Sequence, residues 1–247
     1  MSISEIFRNK LASVDIILTT PGGLAAWRQG CYLNLYKMLK GIEAMGINPK
    51  TVLDIGANKG MFTKCSSFVF PDASFYAFEP LDNCFEELSR LQHSIERLKC
   101  YNVAIGNNNT AATIHRSSYD YSSSLLEMDE LHKAAFPYSA EEIQDNIQLR
   151  MLDSILLSEQ LLRPLLMKID VQGYEKFVLE GAKQTLNVTD AIICEISFRP
   201  LYKGQPLFDE VYDVLRASGF RFMGHVGQLQ HPQTKEILQI DGLFLRT

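Results

Sequence analysis

The sequence is short of most features that mark particular enzyme classes. Its five cysteines, Cys31, Cys65, Cys84, Cys100 and Cys194, have no C-x-x-C spacing. That excludes a zinc ribbon or a dithiol redox centre, and the odd count gives no disulfide framework. Cys100 and Cys194 lie in apolar runs and read as small core residues. His115, His225 and His231 are isolated, so no metal site is expected. There is no G-x-S-x-G, no P-loop, no prolyl-cysteine motif and no Y-x-x-x-K pair, which removes several hydrolase, NTPase and dehydrogenase classes. Net charge is −5, without a Lys/Arg cluster, so the chain has no electrostatic footprint for nucleic acid. No apolar run reaches membrane-spanning length, and Met1-Ser-Ile-Ser-Glu-Ile-Phe-Arg has no signal pattern. A cytoplasmic enzyme in a reducing compartment is the expectation.

What the sequence does have is Thr51-Val-Leu-Asp-Ile-Gly-Ala-Asn-Lys-Gly60, followed by Phe75-Tyr-Ala-Phe-Glu79-Pro80. Val52, Leu53 and Ile55 suit a strand buried on both faces. Gly56 and Gly60 bracket a turn that opens a helix, where free N–H groups face a ligand. Glu79 ends the next strand, 25 residues after Asp54, and is placed to accept from ribose hydroxyls at the rim of an open parallel sheet. A nicotinamide dinucleotide would want G-x-G-x-x-G and no acid beside its pyrophosphate. Here the spacing is G-x-x-x-G and Asp54 stands two residues before the first glycine. That charge suits the cationic aminoacyl end of S-adenosylmethionine. A nicotinamide cofactor, or a turn that only packs strand on helix, are the alternatives.

At 247 residues the chain can form one α/β domain with a helical extension. Residues 1–48 read as that extension, with a short helix capped by Ser2 or Ser4. A longer helix follows from Leu24 to Met45, with Leu24, Trp27, Cys31, Leu35, Met38, Leu39 and Ile42 inward, stopped by Gly46 and Pro49. From 49 to 247 the pattern alternates. Strands are expected at 51–55, 74–79, 99–105, 165–170, 190–196, 219–224 and 239–245. Helices are expected at 60–69, 81–93, 151–161, 174–183 and 207–217. This implies a Rossmann-like, seven-stranded, mostly parallel sheet with helices on both faces and a terminal antiparallel hairpin. Residues 106–150 interrupt it with a polar stretch that includes Ser117-Ser-Tyr-Asp-Tyr-Ser-Ser-Ser124. They read as a substrate-facing insertion, with a solvated surface loop as the alternative.

A second cluster is Leu165-Leu-Met-Lys-Ile-Asp170-Val-Gln-Gly-Tyr-Glu175. Lys168 and Asp170 share a strand face, and Asp170 ends the strand on the rim of Asp54 and Glu79. An N-cap role is its alternative. Lys168 is expected to pair with buried Glu195, because neither charge is stable alone in a core. Methyl transfer needs alignment first, and a hydroxyl acceptor gains from a base within reach. Asp170 would be that base, or would orient the acceptor with Gln172, and Lys168 would set its charge. Ser124 and Glu175 join Gln172 as candidate substrate contacts. The alternative for Glu175 is stabilisation of a helix N-terminus.

Asp54-Ile-Gly-Ala-Asn-Lys-Gly60, Phe78-Glu-Pro80, Asn102-Val-Ala104, Lys168-Ile-Asp-Val-Gln-Gly-Tyr-Glu175, Leu179-Glu-Gly-Ala182 and the Glu195 strand together resemble the FkbM family of S-adenosylmethionine-dependent methyltransferases. The resemblance runs from about residue 51 to 197. It implies O-methylation of a sugar or small natural-product hydroxyl. It implies cofactor contacts at Asp54, Gly56, Asn58, Gly60 and Glu79, with Val103 and Ala104 near the adenine. The family often has glutamate where this chain has Gln172, which removes a charge there and leaves a cofactor- or partner-binding domain without turnover as an alternative. The asparagine-proline-proline-aromatic motif of amino-group methyltransferases is missing, which favours oxygen as the acceptor. The oligomeric state and the acceptor itself are not written in the sequence.

Overall fold

The computed structural model describes residues 14–247, so the expected helix capped by Ser2 or Ser4 lies outside the described residues. Before the sheet come helices α1 (Gly23–Arg28) and α2 (Leu33–Ala44). The single helix expected over 24–45 is therefore two. The chain turns at Gly30 in the left-handed region, φ 74°, which a glycine adopts at little cost. Leu24 and Trp27 consequently face solvent, while Cys31, Tyr36, Leu39 and Ile42 are buried against the first strand and the helix after it.

The strands and helices of the sheet follow from the buried apolar runs. β1 (Thr51–Ile55), α3 (Met61–Val69), β2 (Ser74–Phe78), α4 (Asp82–Arg90) and β3 (Leu98–Tyr101) form one half. The chain then builds a small second sheet from β4 (Ala104–Ile105), β5 (Thr110–Ser117) and β6 (Glu142–Arg150), with α5 (Glu130–Ala135) between the last two. The other half runs α6 (Leu152–Leu156), β7 (Leu165–Ile169), α7 (Glu175–Glu180), α8 (Lys183–Val188), β8 (Ala191–Ser197), α9 (Phe208–Ala217), β9 (Phe220–Gln230) and β10 (Ile237–Arg246).

The main sheet has seven strands in the order β3-β2-β1-β7-β8-β10-β9. Pairing is parallel from β3 to β8, and β10 is antiparallel to both β8 and β9. The chain winds outward from β1 to β3, then returns to β7 beside β1. That reversal opens a crevice at the carboxyl ends of β1 and β7, where ligands of such sheets bind. One apolar layer lies on each face of the sheet.

Four points of the expected pattern change. The strand expected over 99–105 is divided at Asn102-Val103: β3 stays in the main sheet and β4 pairs with β6. The polar stretch 106–150 is not a loop. β5 and β6 pair antiparallel, and Ile114, Ile147 and Leu149 bury a small core with Leu81, Cys84 and Ala104. The helix expected over 174–183 gives way at Gly181, whose backbone lies against Gly106, and the one expected over 151–161 ends at Leu156. No helix of the described residues is long and apolar enough to cross a membrane.

Two glycines should respond in opposite directions. A Cβ on Gly181 would lie 1.9 Å from the Gly106 carbonyl oxygen, whereas one on Gly41, within α2, meets nothing within 4 Å. Gly181→Ala should destabilise by about 1–3 kcal/mol, as overpacking does. Gly41→Ala should stabilise by about 0.5–1 kcal/mol through helix propensity. Urea midpoints of the two variants read both signs, and a neutral Gly181→Ala would contradict the close contact.

Candidate active site

The crevice is a cleft of about 1310 Å³, above the roughly 300–1,000 Å³ typical of one small ligand. At one end the turns after β1 and β2 meet. Glu79 fastens them together: one carboxylate oxygen accepts from the Asn58 amide at 2.8 Å, the other from the Leu81 amide at 2.8 Å. Asn58 sits at φ 48°, a left-handed conformation that asparagine tolerates better than most residues. Gly56, Asn58, Glu79, Val103 and Ala104 all line this end, with Phe78 and Ile105 supplying an apolar wall.

Asp54 and Gly60 are placed differently. They lie behind the wall rather than in it. Asp54 Oδ2 accepts from the Thr63 amide at 3.1 Å and the Thr63 hydroxyl at 2.6 Å. The carboxylate thus caps the first turn of α3 from the neighbouring strand, where the helix has unmatched N–H groups. Its Oδ1 is buried and has no hydrogen-bond partner among the described residues. Burial raises the Asp54 pKa, opposed by Lys168 and the Thr63 hydrogen bond. Gly60 packs under Leu88 and Leu91.

In the middle of the cleft, β7 brings Lys168 and Asp170 to one face, and Lys168 Nζ donates to Asp170 Oδ2 at 2.9 Å. The expected Lys168–Glu195 pair is therefore replaced. Gln172 has φ 54°, and its amide lies between the two acids, donating to Asp170 Oδ1 at 2.8 Å and to Glu195 Oε2 at 2.7 Å. The Tyr202 hydroxyl donates to Gln172 Oε1 at 2.9 Å, and the Ser124 hydroxyl to the Gln172 carbonyl at 2.6 Å. Gln172 and Ser124 both line the cleft. Asp170 does not cap the next helix, whose N-cap is Tyr174. Glu175 is buried outside the cleft wall. Its carboxylate accepts from the Val171 and Gly173 amides at 3.2 and 3.0 Å and so braces the turn that carries Gln172.

The charges are unequally tuned. Burial pushes the Asp170 carboxyl up, but Lys168 and the hydrogen bonds from Lys168 and Gln172 outweigh it, and its pKa lies below the ordinary value. Burial pushes the Lys168 ammonium down, and Asp170 and Asp54 more than reverse this. Glu195 is raised well above the ordinary carboxyl range, first by burial and then by Asp170 and Asp241. Four carboxyl groups line the cleft, Glu79, Asp170, Glu195 and Asp241, against Lys59 and Lys168. Lys59 is paired with Glu87 and Lys168 with Asp170. Such a wall attracts a cation and repels a pyrophosphate.

The far end of the cleft comes from the second sheet and the N-terminal helices. Tyr32, Tyr119, Tyr121 and Tyr138 line it while remaining exposed, and Tyr119 packs against both Tyr121 and Tyr138 at ring separations of 5.3 and 5.4 Å. His132 also lines it, buried, with its pKa pushed down to about 4 by burial. The tyrosines, His132, Tyr202 and Asp241 were not singled out by the sequence reading. Asp241 alone carried a usable signal, an acid inside the apolar run Ile237-Leu-Gln-Ile-Asp-Gly-Leu-Phe-Leu245.

The chain is similar to known methyltransferases. Residues 54–222 match the model of the methyltransferase FkbM domain. The 2-O-methyltransferase NoeI of Sinorhizobium fredii (strain NBRC 101917 / NGR234) is 28% identical over 171 residues, covering 66% of this chain and 70% of that protein. Among solved structures, magnesium protoporphyrin IX methyltransferase (ChlM) from Synechocystis PCC 6803 with bound SAM aligns with a TM-score of 0.48 at 11% identity, covering 97% of each chain. EvdMO1 aligns with a TM-score of 0.45 at 10% identity, over 87% of this chain and 41% of EvdMO1, so the chain spans less than half of that protein.

The buried carboxyl of Glu175 gives a test of the site's electrostatics. Burial raises its pKa from 4.5 to about 7, against the hydrogen bonds from its backbone partners. A folded carboxyl that holds its proton more tightly than the unfolded one stabilises the fold below its unfolded pKa, and that contribution is lost as pH rises through the folded pKa. Melting temperature should therefore fall between about pH 4.5 and about pH 7. Glu175→Gln keeps an acceptor oxygen without the titration and should flatten the slope. Parallel slopes for the two proteins would show that Glu175 is not perturbed.

Proposed function

The chain belongs to the family of FkbM methyltransferase domains and takes S-adenosylmethionine as its cofactor, and we propose that it methylates a hydroxyl oxygen of a small or glycosyl acceptor. The observation that carries this reading is the cleft itself: one continuous space in which Glu79 marks one end, Lys168 and Asp170 the middle, and a tyrosine-lined mouth the other.

The residues present fit that cofactor. It supplies an electrophilic methyl group on a positively charged sulfur. Glu79, held in place by the Asn58 and Leu81 amides, would accept from the ribose hydroxyls. Val103 and Ala104, with Phe78 and Ile105, offer the apolar slot for adenine. Gly56 and Asn58 present backbone at the turn. Asp54 acts from behind the wall: its unmatched Oδ1 adds negative charge near the aminoacyl end through its field rather than by contact. A nicotinamide dinucleotide would bring its pyrophosphate into the same acidic surroundings.

Asp170 is proposed to orient the acceptor. Held by Lys168 and Gln172, it stays ionised across the neutral range and cannot rotate freely, so it offers a fixed lone pair to a hydroxyl. The exposed tyrosines suit the flat or ring-shaped body of an acceptor. NoeI is a 2-O-methyltransferase, and oxygen is the acceptor proposed here too, with the substrate a small molecule.

Calorimetry and label transfer test the reading. S-adenosylmethionine should bind and NAD should give no heat. Glu79→Gln should weaken cofactor binding about 10- to 100-fold, the equivalent of the ~1.5–3 kcal/mol of a hydrogen bond to a charged group. Asp170→Asn should bind the cofactor within a few-fold of wild type yet lower methyl transfer to a panel of methyl glycopyranosides by about 10²-fold. Binding of NAD without S-adenosylmethionine, or labelling of amines and not hydroxyls, would contradict it.

A further inference from the structure

We propose that Asp241 is the catalytic base, the group that takes the proton from the acceptor hydroxyl during methyl transfer. This rests on the hydroxyl-methylating reading above and adds a residue to it. Asp241 lies on β10 in register with Glu195 of β8 and with Gly227 of β9. It lines the same cleft as Lys168 and Asp170. A Cβ on Gly227 would stand 2.1 Å from Asp241 Oδ2, so the missing side chain makes the room that the carboxylate occupies.

What distinguishes Asp241 is that it is not already engaged. The Glu79 oxygens accept from two backbone amides, Asp170 from Lys168 and Gln172, and Glu195 from Gln172. Among the described residues Asp241 has no hydrogen-bond partner and no ion pair within 4.0 Å. A carboxyl in a wall of this kind, with no hydrogen bond to another described residue, can make its hydrogen bonds to a bound acceptor.

The surrounding charges favour the same role. Burial, then the charge of Asp170, raise the Asp241 pKa from 3.8 to about 6, with Lys168 opposing. Glu195 faces it from β8. The titratable group on β9 nearest in register is His225, opposite Gly242. A base works best when its pKa lies near the working pH, which Asp241 approaches and Asp170 does not. As the acceptor oxygen forms its bond to the methyl carbon, the carbon–sulfur bond breaks and its electron pair stays on sulfur, which becomes a neutral thioether. The proton leaves the acceptor oxygen for Asp241 and passes from there to solvent.

The test is the pH dependence of kcat with S-adenosylmethionine and methyl glycopyranosides. Wild type should gain activity as pH rises through about 6, then level off. Asp241→Asn should lower kcat by about 10²- to 10⁴-fold and lose that limb, while KM and cofactor affinity stay within a few-fold. Retention of kcat within threefold, or of the limb, would overturn the proposal. If wild type binds cofactor but methylates no hydroxyl, the hydroxyl reading fails by itself. Asp241 is then judged by carbon-13 NMR of its carboxyl with S-adenosylhomocysteine bound. A titration near 6 that Asp241→Asn removes supports the proposal. A carboxyl that titrates at the ordinary aspartate value overturns it.

Discussion

The site depends on how closely two turns can approach one another. The Asp170 amide donates to the Ile55 carbonyl at 3.0 Å, continuing the parallel ladder one step beyond β1 and β7. The next residue of the first turn, Gly56, then lies directly against the Asp170 carbonyl, where a Cβ would fall 1.8 Å from the oxygen, and its φ is 78°. No other residue satisfies both conditions without moving one of the turns. The contact sets the spacing between the end of the cleft assigned to the cofactor, governed by the loop after β1, and the Lys168–Asp170 pair that follows β7. Without it the two halves of the site would share a sheet and not a cleft.

Around that contact the acids are divided by their restraints. Asp54 is given to the first turn of α3, Glu79 to two amides, and Glu175 to the turn that carries Gln172. Asp170 and Glu195 would repel one another across the middle of the site. Gln172 removes the conflict by donating one hydrogen to each, and Tyr202 holds the other end of the amide. A glutamate at 172 would bring a further carboxyl and, when ionised, no donor to bridge Asp170 and Glu195. The uncharged residue at this position therefore has a structural use in this chain. Burial first, and the neighbouring charge of Asp170 after it, raise the pKa values of Glu175 and Asp241 to about 7 and about 6.

The parts of the fold legible in the sequence were those fixed by local pattern. β1, β2, β7 and β8 are buried on both faces, so their apolar runs are continuous, and the first three are followed directly by Gly56, Glu79 and Asp170. The parts that were not legible depend on partners distant in sequence. The second sheet uses strands such as Glu142–Arg150, where only Ile147 and Leu149 are buried, so its polar face hides the period. The breaks at Gly30 and Gly181 interrupt helical patterns whose apolar spacing runs on through them. Lys168 was assigned to Glu195 because a buried charge needs a partner. The principle held, but the partner two residues away was nearer, and a left-handed Gln172 could not be read from spacing. The mouth of the cleft escaped because Tyr119, Tyr121 and Tyr138 are exposed residues in a polar stretch, brought together only by the pairing of β5 and β6.

The central claim is that this one cleft holds the cofactor with its charged end toward the acids and its reactive end toward Lys168 and Asp170. A crystal structure with S-adenosylhomocysteine bound tests it most directly. The account predicts ribose hydroxyls on Glu79, adenine beside Val103 and Ala104, and the sulfur facing the space between Asp170 and Asp241. A ligand bound elsewhere, or turned so that its sulfur faces away from Asp170, would contradict it.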